Sequence, residues 1–154
     1  MPRHLFRTAA ALLVLVLAAC DGTSGPQGVE GRYGVYSVNG QKPPAPVRGD
    51  GSGGVLQVVD AQLTLSAPGT ASVELATRMR AADGTVGATT RTTYTGTYQQ
   101  NGDVLALSNL RAEGTQASAQ AVVISPREVA ITLHIPAPAY TGYFTYPVAL
   151  IVRR

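Results

Sequence analysis

The sequence predicts an all-β domain: an antiparallel up-and-down barrel of about eight strands, with a two-sheet β-sandwich as the alternative. The one helical element expected is an N-terminal signal peptide. Three observations lead there. Beyond Gly31, apolar and polar residues alternate with period two, and no segment sustains a period of 3.6. Turn pairs such as Asn39-Gly40, Asp83-Gly84 and Asn101-Gly102 punctuate the alternation at short intervals. The chain, with 154 residues, is of single-domain length.

Gly31–Val38 (GRYGVYSV) is the first strand candidate and ends at Asn39-Gly40. Gln41 to Asp50 holds Pro43, Pro44 and Pro46. Proline cannot donate to a ladder, so this stretch cannot be a central strand. Val55–Val59 and Ala61–Ser66 follow; in the second, Ala61, Leu63 and Leu65 alternate with Gln62, Thr64 and Ser66. After the turn Ala67–Thr70, Ala71–Arg80 places Val73, Leu75 and Met79 on one side. Ala88–Tyr98 is rich in Thr and Tyr, which favour strands. Asp103–Leu107 comes next, and Asn109–Thr115 reads as a polar loop. Ala117–Ile124 and Val129–Ile135 form a hairpin around Ser125-Pro126-Arg127-Glu128. The last strand runs from Tyr146 or Val148 to Arg153.

The N-terminus is of another kind. Arg3, His4 and Arg7 form a short basic region before the 11-residue apolar run Ala9–Ala19. A spanning helix needs roughly 20 apolar residues. The run is too short for that and has the features of an export signal. Its end, Leu17-Ala18-Ala19-Cys20, resembles the lipobox of bacterial lipoproteins. The resemblance implies cleavage before Cys20, a diacylglyceryl thioether on its thiol, and fatty acylation such as palmitate at the new N-terminus. A single acyl chain holds only marginally, at roughly 0.8 kcal/mol per buried CH₂, whereas two or three hold firmly. The expected division is therefore a signal peptide over 1–19, a flexible tether over 20–29 and one barrel domain over 30–154. Within the tether, Asp21–Gly28 (DGTSGPQG) has eight residues, which reach about 27 Å at about 3.4 Å each. In enteric bacteria an Asp after the lipidated Cys goes with inner-membrane retention, a rule that does not hold in all bacteria. Asp21 therefore leaves inner and outer membrane open.

The body resembles the lipocalin-like barrel domains of small bacterial lipoproteins. Those begin with Gly-x-Trp on the first strand and end on a strand carrying a basic residue. Gly31-Arg32-Tyr33 and Arg153 occupy those places here. The resemblance implies that Arg153 packs across the ring of Tyr33 and closes the barrel base by a cation–π contact. Tyr33 stands where Trp is expected, and the chain has no Trp.

Composition narrows the function. The precursor carries a net +3. Loss of Arg3 and Arg7 leaves ten basic against nine acidic residues, a net +1. Without a basic stripe, nucleic acid is not an expected partner. Cys20 is the only cysteine, and His134 the only histidine outside the leader. No closed zinc site is expected from that set, nor any cofactor. His134 alternates opposite Val129, Ile131, Leu133 and Ile135 and reads as a strand histidine on the polar face. No Gly-x-Ser-x-Gly elbow offers a nucleophile, and no carboxylate pair stands out, so an enzyme is not expected. Gly51-Ser52-Gly53-Gly54 lacks the Lys and Ser/Thr of a phosphate loop.

Pro136–Pro147 (PAPAYTGYFTYP) gathers Tyr140, Tyr143, Phe144 and Tyr146, four of the nine aromatics of the chain. These rings could contact a small apolar ligand or an envelope protein, or close one barrel end as core. Tyr94 and Tyr98 are expected in the core or lumen. The sequence thus points to a membrane-anchored envelope lipoprotein acting as a binding or interaction module, with a structural or accessory role as the alternative and an envelope hydrolase a distant third. A lumen filled by Leu63, Leu65, Val73, Leu75, Val123, Ile131 and Leu133 would argue against a small ligand.

Overall fold

A computed structural model describes residues 28–49, 51–136 and 145–154. The chain forms nine strands: β1 (Gly31–Val38), β2 (Ala45–Gly49), β3 (Val55–Ser66), β4 (Thr70–Arg80), β5 (Thr90–Asn101), β6 (Val104–Ala112), β7 (Thr115–Ser125), β8 (Glu128–Pro136) and β9 (Thr145–Arg153). Strands β3 to β9 pair each with the next, all antiparallel. β1 then pairs with both β9 and β3, which closes an eight-stranded barrel; β2 is an additional strand on β3. Closure removes the free edges that would otherwise template aggregation.

Antiparallel order fixes the two ends. The β3–β4, β5–β6 and β7–β8 turns lie at one end, together with Gly28 and Arg154, and this end is called the base. The β4–β5 and β6–β7 connections lie at the far end.

The lumen is built in rows across the strands. Leu105, Ala121, Ile131 and Leu150 are successive partners, as are Leu107, Ala119, Leu133 and Val148. On the other side Tyr33, Leu63, Val73 and Tyr94 form a third row. Ala117, Ala119 and Ala121 on β7 give room to the Leu and Ile side chains flanking them, so large and small residues alternate around the barrel. Tyr33, Leu63, Leu105, Leu133 and Val148, from five different strands, are each 0% exposed. No water-sized void touches them, so the lumen is filled at their level.

Several strand pairs carry register irregularities, and three of them explain departures from the alternation read in the sequence. Val55–Ser66 is one strand, not two, with an irregularity between Val58 and Asp60. The segment expected as a polar loop over Asn109–Thr115 continues β6 to Ala112, and the turn is only Glu113-Gly114. Asn109 takes a positive φ of 56°, which resets the alternation and turns Leu110 inward to full burial. Gly96 on β5 faces this bulge: a Cβ there would meet the Ser108 carbonyl oxygen and come within 2.9 Å of backbone atoms of Asn109 and Leu110. The third, between Val35 and Ser37, leaves Tyr36 exposed on the outside.

β2 continues the line of β1 along β3 but separates from β9, so the barrel wall has a seam. Asn39 bridges it. Its backbone N–H donates to Ala149 O (2.7 Å), its Oδ1 accepts from Ala149 N–H (3.0 Å), and its Nδ2 donates to Pro46 O (3.4 Å). Ala149 therefore turns its backbone groups toward the seam, and so does Pro147 two residues earlier. Pro46 and Pro147 have no N–H to leave bare there. Of the three prolines that ruled out a central strand, Pro46 lies in this short edge strand and Pro43 and Pro44 just before it.

Candidate functional site

Cys20, Tyr140, Tyr143 and Phe144 lie outside the described residues. Tyr146 lies on β9 as the partner of Ile135. The aromatic cluster expected near Pro136–Pro147 is thus placed only through that one strand position.

His134 sits on the outer face of β8, half-buried, between Ser118 of β7 and Pro147 of β9. A shallow surface groove of about 330 Å³ is lined by Ser118, Ala119, Gln120 and His134. Glu128, the only acid on β7, β8 or β9, lies six residues from His134 along β8. Strand residues rise about 3.3 Å each, so this carboxylate is far beyond hydrogen-bond reach of the imidazole. Among the described residues no three His, Cys, Asp or Glu side chains group to hold a metal.

The base is the most elaborated part. Val29 is buried and packs into the core, and its carbonyl accepts a hydrogen bond from the Tyr33 hydroxyl at 2.6 Å. Arg154 reaches across from the other end of the chain. Its guanidinium lies 4.7 Å from the centroid of the Tyr33 ring and donates to the carbonyls of Gly28 and Glu30. The closing cation is therefore Arg154, not Arg153. Period two explains the difference: Val152 faces the core at 0% exposure, so Arg153 must face out. There Arg153 stacks on Tyr36 at 3.5 Å and donates to Glu128 at 2.6 Å. The carboxylate of Glu128 holds its guanidinium more firmly protonated than usual.

Tyr94 is buried, and Tyr98 packs half-buried against the core near the base. Burial raises the Tyr98 phenol above its usual value, and the negative charge of Glu30 adds to this. Val123, the seventh residue expected to fill the lumen, is only partly buried. It lines a groove of about 220 Å³ on the base with Val29, Gln100, Asp103, Ile124, Ser125 and Pro126. The base stopper of Val29, Tyr33 and Arg154 was missed in part at the sequence level, because Val29 falls within the expected tether. An isolated Val between Gly28 and Glu30 carries no periodic signal.

The chain matches no family model, no curated protein and no solved structure. The class to which fold and site belong is accordingly that of small, closed, antiparallel β-barrels with a packed lumen.

Proposed function

We propose that this chain is a bacterial envelope lipoprotein, anchored through lipid on Cys20, whose barrel acts as an interaction module and not as a carrier of small ligands. The anchor rests on the Leu17–Cys20 motif. The choice of interaction over carriage rests on one observation. Leu63, Leu65, Val73, Leu75, Ile131 and Leu133 are all at most 2% exposed. Eight-stranded barrels can be full or can hold one ligand, and side chains occupy this one at mid-height. The same packing supports the accessory reading, in which the barrel is a rigid spacer on the membrane.

Cys20→Ala tests the anchor. Cells fed an alkynyl fatty acid should label the wild-type protein and not the variant, and the variant should move to the soluble fraction. Labelling that persists in the variant refutes the assignment. For the lumen, an apolar fluorophore should show no saturable binding to the wild-type chain. Stoichiometric binding would restore the carrier reading.

A further inference from the structure

The outer wall of the barrel is divided. On β3, β4 and β5 most outward residues are polar or charged, among them Gln62, Glu74, Thr93 and Thr95, with Arg91 paired to Glu74 and, at 3.8 Å, to Asp60. On β6 to β9 and β1 they differ between the two ends. Toward the far end they are mostly polar, among them Gln116, Ser118, Gln120, Thr132 and His134, with the small apolar Ala106, Ala149 and Pro147 between them. Toward the base an apolar row crosses the wall, with the Glu128–Arg153 pair beyond it: Val104, Val122, Ala130 and Ile151 are successive cross-strand partners on four strands. Ile124 extends the row toward the β7–β8 turn, and Tyr36 ends it on β1 beside Ile151. Val104 is 55%, Ile124 54%, Val122 48% and Tyr36 46% exposed. A continuous apolar row of this kind on an outer wall calls for a covering surface.

We propose that this belt is the face on which the barrel rests against the lipid surface that holds Cys20. The inference builds on the anchoring reading above. Three observations select lipid as the occupant. First, the chain leading back to Cys20 meets the barrel at the base, where Val29 and Ile124 line one groove. Eight residues separate Cys20 from the domain, so the base from which the belt rises is held within about 27 Å of the acylated residue even with that segment fully extended. Second, on β7 and β8 the belt ends at Gln120 and Thr132, so its large apolar side chains lie in one band between these polar residues and the base. Third, the belt ends in Tyr36, and tyrosine favours the headgroup level, where its ring is in apolar surroundings and its hydroxyl in water. Arg153 stacked on Tyr36, and Arg127 at the β7–β8 turn, place cations at that level. Arg127 has no ion-pair partner among the described residues. Asp103 in the base groove keeps the surface from being strongly basic, so apolar contact, not charge, is the main attraction.

The test uses the lipidated full chain in phosphatidylcholine–phosphatidylglycerol vesicles. Acylation of Cys20 leaves an introduced cysteine as the only free thiol. A fluorophore is attached at Val122→Cys in the belt or at Val86→Cys near the far end, both exposed positions. Lipids brominated near the headgroup should quench the Val122 probe several-fold more than the Val86 probe. Equal quenching overturns the proposal while leaving the anchor intact. So does a Val122 probe that is shielded from aqueous iodide without lipid quenching, since a second copy or another protein then covers the belt. Wild-type protein that takes the thiol label at Cys20 and fails to float with vesicles overturns the anchoring reading, and this proposal with it.

Discussion

The same substitution at two glycines should have opposite signs. Gly34 lies on β1 with its φ outside the left-handed region, faces solvent, and a Cβ there meets nothing within 4 Å. Gly34→Ala only restricts the unfolded chain and should stabilise by about 0.4–1 kcal/mol. Gly96 also lies on a strand, but its Cβ would press on the backbone of Ser108, Asn109 and Leu110. No side chain can rotate away, so β6 must shift. Overpacking of that kind costs about 1–3 kcal/mol, more than the entropic gain. The two variants should therefore differ by about 1.4–4 kcal/mol on these ranges. Urea unfolding of the full chain in a Cys20→Ala background measures this. With a slope of about 1.5 kcal/mol per molar urea, Gly96→Ala should lower the midpoint by about 0.7–2 M and Gly34→Ala raise it by about 0.3–0.7 M. A Gly96→Ala midpoint at or above that of the parent would refute the close approach of β5 to the β6 bulge.

Further outcomes follow from the lumen, the seam and one turn. Leu133→Ala removes a side chain at 0% exposure and should cost about 2–5 kcal/mol, read as a urea midpoint; a loss below about 1 kcal/mol would mean that the lumen is looser than described. Asn39→Ala deletes both seam hydrogen bonds made by its side chain and puts Ala at a positive φ of 48°. It should cost about 2 kcal/mol and speed hydrogen exchange at the Ala149 amide, and unchanged protection there would contradict the bridge. The Asp83 carboxylate, fully exposed, accepts the Thr85 N–H at 2.8 Å, and this bond holds its pKa below the ordinary 3.8. A depressed folded value means that the contact is present above about pH 4 and is lost as pH falls through the lowered value. Thr85 amide exchange, corrected for the intrinsic rate, should accelerate in that acid window and lose the dependence in Asp83→Asn.

Strand existence was legible because period two and the turn pairs agree over most of the chain. What stayed hidden is what a bulge conceals. At Asn109 one inserted residue moves Leu110 to the inner face, so the polar stretch around it read as a loop when it is strand. At Val59 a similar irregularity split one strand into two. The base shows the same limit. A ring-on-cation closure followed only from the resemblance that Gly31-Arg32-Tyr33 and Arg153 carry, and which arginine closes it depends on the facing of Val152. Where Trp was expected, Tyr33 uses its hydroxyl to tie down Val29, a bond that only the three-dimensional arrangement reveals. The outer belt was equally invisible, since Val104, Val122, Ala130 and Ile151 are adjacent only across strands.

Ring closure also has a temporal side. β1 is the first strand of the barrel, and Gly34 and Val35 pair with Arg153 and Val152 at the other end of the chain. The neighbouring hairpins can form as soon as each is made, but the joint between β1 and β9 spans more than a hundred residues and cannot form until β9 is present. A chain synthesised or threaded N-terminus first must hold the open edge of β1 in waiting until β9 emerges. The Arg154 clamp on Gly28 and Glu30 can engage only after that wait, so Arg154 completes the barrel by closing over its first strand's approach.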